Sequence, residues 1–301
     1  MNVTEANASS AVMIGVFSSL GETVPRNAGS YRRITIHLRE NCCVGGPSHP
    51  ASCSLSTTNL ASKIGNATQR AIAILADGFG LAESGTIVPA SMAVISGRDR
   101  RYGDRPFINS LFLMHTGGPG APRADAWLTT VHIGDLGLCY LDSVEIDELR
   151  YPLRVVGRGI VTDTEGAGRY RGAPSGFCEY GPTDGPIEAW FASDGSFNPP
   201  LGVRGGLPGG RSSQFKRRRD GGLNKLEPCG GVVLEPGETI VAYCCGGGGY
   251  GDPLDRDRQR VLEDLSEGWI TAERAREVYG VTLDSSGGGD RQSRLSDAGV
   301  K

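Results

Sequence analysis

His115, Asp125 and His132 stand around a glycine-rich turn, Gly117-Gly118-Pro119-Gly120. An imidazole with a carboxylate nearby can take a proton from a water molecule or hold that water in line, the chemistry of a hydrolytic site. His115 closes an apolar run, Phe107 to Met114, and loops at strand ends are common places for binding and catalytic groups. The competing reading makes His132 a solvated strand residue and Asp125 a loop cap.

A second stretch, Gly246 to Gly251, satisfies G-x-G-x-x-G through Gly246, Gly248 and Gly251. A dinucleotide site would continue through a helix into a second strand, with an acidic residue about 20 positions on. Here a helical hairpin follows instead, with Trp269 and Ile270 at its bend, and no Gly-Lys-Ser/Thr completes a Walker A loop. The reading preferred for the glycines is a tight backbone turn. Lys216 to Arg219 is a basic run in a Gly/Ser-rich segment. Without interleaved aromatics it reads as a solvated loop rather than a nucleic-acid patch, with an anion or subunit contact as the alternative. No Gly-x-Ser-x-Gly elbow occurs. The adjacent pairs Cys42-Cys43 and Cys244-Cys245 suit neither a simple disulfide nor zinc. Cys244 and Cys245 precede glycines rather than a helix start, so nothing there activates a thiol. The four histidines, at 37, 49, 115 and 132, show no metal-ligand spacing.

The elements that must position these groups follow from periodicity. Residues 4 to 20 read as a helix with Ala8, Val12 and Val16 inward, and Asn27-Ala28-Gly29 as a turn. Tyr31 to Leu38 alternates as a strand. Thr58 to Ala76 gives the strongest helix, with Leu60, Ile64, Ala67, Ala71, Ile74 and Leu75 on its apolar face. Thr86 to Ile95 is strand-like around Pro89, and Ser96 to Arg105 reads as a polar turn before the apolar strand Phe107 to Met114. After Tyr151 come short strands between Gly/Pro turns, among them Val232 to Leu234 and Thr239 to Tyr243 around a type II turn at Glu235-Pro236-Gly237-Glu238. Two short helices close the chain, the first capped by Asp257 and ended by Gly268, the second capped by Thr271 and ended by Gly280.

The fold expected is therefore α+β. It comprises an α/β part at 1–150, a glycine-rich antiparallel part at 151–252, a helical hairpin at 253–283 and a disordered tail at 284–301. With 301 residues, 46 of them glycine, and a net charge of −3, nothing global points to nucleic acid or membrane. No signal peptide or apolar span is visible, and the thiols read as reduced, so a cytoplasmic protein is expected.

Gly-Gly-Gly-Gly-Tyr-Gly-Asp-Pro-Leu, a helix, then Ala-Glu-Arg-Ala-Arg-Glu-Val-Tyr-Gly-Val resembles the C-terminal end of hydantoinase B/oxoprolinase B-type subunits. Asn66 to Arg70, Thr116 to Ala121, Tyr151 to Val155 and Gly166 to Gly172 come in the same order as in that family. The resemblance implies a component of an ATP-dependent hydrolase of cyclic amides. An A-type partner would phosphorylate the amide oxygen, and the B-type portion would hydrolyse the activated lactam or hydantoin. It further implies that Met1 falls where such a subunit is already under way. The Thr-His-x-x-Asp metal motif of the family's N-terminal portion has no counterpart here. ATP and a divalent metal are thus expected in partner polypeptides, one of them carrying the N-terminal B-type portion, with no cofactor in this chain. The family has a comparable Asp and His after its Gly-Gly loop, which supports His132, His115 and Asp125 as base or orienting groups. Its Asn-rich segment after the His is replaced by Ile133 to Cys139. The alternatives are a subunit of an acetone/acetophenone-type carboxylase, or a non-catalytic scaffold or truncated remnant.

Overall fold

A computed structural model describes residues 2–20, 23–53, 60–85, 88–128, 130–132 and 137–282. It is an α+β structure. Two antiparallel sheets face each other. One has five strands in the order β11-β10-β13-β8-β7 and the other four in the order β12-β9-β3-β4. Their ranges are β3 (Val94–Asp99), β4 (Arg105–Ser110), β7 (Leu153–Ile160), β8 (Gly176–Pro182), β9 (Ile187–Ala192), β10 (Ser213–Arg217), β11 (Leu223–Lys225), β12 (Cys229–Leu234) and β13 (Thr239–Tyr243). Strands from both sides of residue 150 thus share one sheet. Alternate residues turn inward, so Ile95, Ile187, Ala189 and Leu234 of one sheet meet Leu153, Cys178, Tyr180 and Ile240 of the other. The Glu235-to-Glu238 turn forms, with Gly237 at φ 88° and Glu238 N–H donating to Glu235 O at 2.8 Å. It does not make a hairpin, however, because β12 pairs with β9 while β13 pairs with β8 and β10. The turn carries the chain from one sheet to the other.

The N-terminal region departs from its pattern. Asn27 Oδ1 accepts from Gly29 and Ser30 and caps a short helix, α2 (Ala28–Tyr31). The expected strand 31–38 is absent, because among the described residues no strand offers Ile34 to Leu38 a ladder; the short parallel pair β1 (Arg39–Glu40) and β2 (Gly45–Gly46) follows. The long helices α1 (Glu5–Ser19) and α3 (Ala61–Leu75) pack together. α3 buries Ser62, Gly65, Asn66, Gln69 and Ala73, whereas Ile74 and Leu75 are exposed. The reason is close approach. Gly15 lies so near Gly65 O and Thr68 that a Cβ on it would stand 2.5 Å from the carbonyl, and Gln69 donates to Ser18 Oγ. The expected polar turn 96–105 is instead the end of β3, a 3-10 turn at Arg100–Tyr102, and the start of β4.

Residues 246–251 form the hub of the molecule. They run extended and buried rather than as a turn; only Gly251 has positive φ, at 76°. Main-chain hydrogen bonds leave in several directions, from Gly246 to Gly210, Gly247 to Ala173, Gly248 to Glu83, Gly249 to Leu207 and Gly251 to Val203. Gly120 and Gly166 donate back to Gly248 and Gly247. A Cβ on Gly247 would lie 1.8 Å from Gly118 O, so backbone fills the space where side chains would stand. A 3-10 turn at Pro253–Asp255 then leads to α5 (Arg258–Ser266) and α6 (Ala272–Glu277), which enclose Ala167 with Val261, Ile270, Ala275 and Tyr279.

Candidate functional site

After β4, Leu111 and Leu113 turn into the core and His115 follows at the edge of the glycine hub. Its ring is 1% exposed. Nδ1 accepts from Gly117 N–H at 3.1 Å, so the proton of the neutral ring belongs on Nε2. Nε2 is buried and has no hydrogen-bond partner among the described residues. Burial pushes the pKa of the imidazole down to about 4. At neutral pH His115 is an uncharged ring with a free N–H donor, not a base with a free lone pair. Gly117, at φ 68°, is required here, because a Cβ would strike Cys245 O and the main chain of Gly246.

Next to this loop lies a charged pair that the sequence pattern did not single out. Gly85 is so close that a Cβ on it would meet Thr116 O, Cys245 Cβ and Gly246 O. Lys63 Nζ, on α3, donates to Gly85 O at 2.8 Å and Ser84 O at 3.3 Å and pairs with Asp194 at 2.7 Å. Their side chains keep 35% and 43% of their surface in solvent. Asp194 O also accepts from Cys245 Sγ. The signal available was local: Lys63 lies on the polar face of α3, which reading by apolar spacing discards, and Asp194 stands just past the end of β9 at Ala192.

Asp125 belongs to a different construction. Arg256 binds it through both nitrogens, at 2.7 and 3.0 Å, Arg171 N–H donates to it at 2.9 Å, and Arg260 reaches it at 3.3 Å. Arg256 and Arg171 also hold Asp264, at 2.8 and 2.9 Å, and the Arg171 guanidinium lies 4.2 Å from the Trp269 ring centre. Burial alone would raise the pKa of Asp125, but the hydrogen bonds and charge of Arg256, with those of Arg171, hold it below the usual value. This network clamps the C-terminal helices to the hub. No hydrogen bond joins Asp125 to His115.

His132 lies on β5 (Thr130–His132), opposite Gly137 of β6 (Gly137–Cys139); its side chain lies outside the described residues, as do Ile133 to Leu136 and the tail from 283. The basic run is a loop only in its second half, since Arg218 and Arg219 lie in the turn after β10. Lys216 and Arg217 belong to β10 and pair with Glu238 and Glu179, while Arg218 pairs with Asp220. Cys178 and Cys244 are buried, and burial raises both thiols to about 12, which keeps them protonated. Among the described residues no group of three or more His, Cys, Asp or Glu could hold a metal ion, and no helix is long and apolar enough to cross a membrane.

The family model for hydantoinase B/oxoprolinase matches residues 1–253. The chain belongs to the hydantoinase B/oxoprolinase family. It is 27% identical over 292 residues to the caprolactamase subunit beta of Pseudomonas jessenii, a match covering 95% of this chain and 50% of that protein. It is 28% identical over 205 residues to the acetone carboxylase alpha subunit of Xanthobacter autotrophicus, covering 56% of this chain and 25% of that one. The crystal structure of the ATP-dependent caprolactamase from Pseudomonas jessenii superposes with a TM-score of 0.76 at 24% identity, over 95% of this chain and 50% of that chain. This family member thus spans half or less of the length of these relatives.

Proposed function

We propose that this chain is one component of an ATP-dependent hydrolase of cyclic amides. It works with an A-type ATP-using subunit and with a polypeptide carrying the N-terminal B-type portion. The observation that carries this reading is the match to a caprolactamase subunit along 95% of the chain. A lactam is a poor electrophile; ATP, bound by the partner, supplies the phosphate that turns the amide oxygen into a leaving group. In this reading the substrate meets the loop of His115 and Gly117. His115, buried and neutral, accepts from Gly117 N–H through Nδ1 and so orients the loop, and Lys63, bound to Gly85 O and paired with Asp194, fixes the segment beside it. His132 takes the proton of the attacking water. Asp125, whose oxygens are occupied by arginine, is an orienting group through Arg171 and the chain around it. ATP and any divalent metal belong to the partner polypeptides.

The carboxylase relative favours a second reading, in which the same activation yields an enol phosphate that meets bicarbonate. Reconstitution with the A-type subunit and the N-terminal B-type polypeptide separates the two. ATP hydrolysis is expected to depend on ε-caprolactam, hydantoin or 5-oxoproline. Dependence on acetone and bicarbonate would replace that reading with the second, and a rate unchanged when this chain is left out would make it a scaffold.

A further inference from the structure

The four-stranded sheet ends in an open edge. β4 is its last strand, and its pairing with β3 fixes which backbone groups are free. Leu111 N–H donates to Ala93 O and Leu113 N–H to Ser91 O, so in the antiparallel register odd-numbered residues bond to β3 and even-numbered ones face away. Along the outer edge Pro106 has no N–H to offer. Phe112 is already taken, donating to Asp142 Oδ2 at 2.6 Å and accepting from Asp142 N–H at 2.9 Å. Between these two stops, Ile108 and Ser110 turn their N–H and C=O outward.

Beside this edge lies a cleft of about 540 Å³ between β4 and the end of a helix, α4 (Val144–Arg150). Arg105, Ile108, Leu149 and Arg150 line it, together with Phe107 and Tyr151, whose rings lie 5.7 Å apart and tilted at 45°. Ile108 and Leu149 are exposed, at 72% and 68%. Asp99, also in the lining, is neutralised by a two-pronged contact with Arg101. Arg105 and Arg150 have no ion pair with a described carboxylate. The cleft therefore offers unpaired cations, an apolar floor and two open strand positions side by side.

We propose that this cleft is a docking site for an extended segment of another protein, one that alternates acidic and apolar residues and adds as a strand to β4. Main-chain bonds to Ile108 and Ser110 give the grip, and carboxylates against Arg105 and Arg150 give the choice of partner. A second copy of this chain is a poor occupant, since a charged residue and a proline on an edge strand work against self-pairing.

The test uses the whole chain and two fluorescein-labelled octapeptides, one alternating Glu with Val or Leu, the other with Lys in place of Glu. Binding of the acidic peptide is expected, weakening with salt and slowing amide exchange at Ile108 and Ser110. Combined Arg105→Glu and Arg150→Glu should weaken it by about tenfold or more, the scale expected when an interface ion pair is lost, and reverse the preference between peptides. Ile108→Pro removes one outward N–H without touching the β3 ladder and should weaken the acidic peptide as well. Equal binding of both peptides, an affinity unmoved by charge reversal, or protection only elsewhere would overturn the proposal. Dimerisation of the chain lost in Ile108→Pro would overturn it in favour of a second copy.

Discussion

His115 takes its chemistry from its surroundings rather than its type. In water its pKa would lie near 6.5; burial brings it to about 4. As pH falls below 6.5 the unfolded chain takes up a proton that the folded chain refuses, so stability is full above about pH 7 and lost on the way down to 4. At about 1.4 kcal/mol per pH unit, that loss amounts to about 3 kcal/mol. His115→Gln should flatten this part of the profile, and urea unfolding of both proteins at pH 7 and pH 4.5 measures it. A parallel loss in the variant would remove His115 as the cause. The residue was legible in sequence as a histidine before glycines, but the strand expected to run up to it stops at Ser110, and its lack of charge was not legible, since that comes from packing by distant segments. His132 has the opposite standing. His132→Ala should lower kcat of the assembled complex at least about tenfold, the scale of a lost proton-transfer group, with the circular dichroism and melting temperature of the chain unchanged. Unaltered kinetics would take it out of the site.

At the scale of elements, α3 shows where periodicity misleads. Its spacing was right for a helix, and the helix formed over Ala61–Leu75. The face chosen by apolarity, with Ile74 and Leu75, is the exposed one. The buried face is made of small and amide residues, because α1 approaches closely at Gly15 and Gly65, and backbone contact there outweighs hydrophobicity. Two substitutions separate the faces. Gly15→Ala places a methyl 2.5 Å from Gly65 O and should cost about 1–3 kcal/mol, as overpacking does. Leu75→Gln should change stability by less than about 0.5 kcal/mol. Thermal unfolding of both reads the difference, and a larger loss for Leu75→Gln would mean that the apolar face is covered. The strands after residue 151 were more legible, since residues in a sandwich alternate inward and outward, as in β9. What no local pattern carried was that β12 and β13 enter different sheets.

At the scale of the molecule, the hub and the C-terminal helices are joined by charge. Asp125, Arg256, Asp264 and Arg171 form one chain of ion pairs, in which Asp125 and Arg256 lie 131 positions apart in sequence. Their motifs were visible; their association was not, because nothing in spacing ties Asp125 to Arg256. Such a network resists removal of one member more than replacement of all, since each remaining charge stays buried without its counterion. Arg256→Met should therefore cost about 3–5 kcal/mol, more than removal of any exposed pair. The network also has its own pH window. In the intact protein the carboxyl of Asp125 is held below 3.8, so its contribution is complete above that value and lost only as pH falls through the lowered one, well beneath the His115 window. Without Arg256 the largest remaining influence on Asp125 is burial, which raises its pKa. The stability of Arg256→Met should then improve on acidification over a range where the parent's Asp125 contribution stays level, once the His115 contribution is cancelled by making both measurements in a His115→Gln background. Melting temperatures between pH 6 and pH 3.5 decide it: parallel curves for the two proteins would mean that Arg256 does not set the charge of Asp125, and that the C-terminal helices are held by their apolar contacts and by other polar pairs such as Arg274 with Glu165.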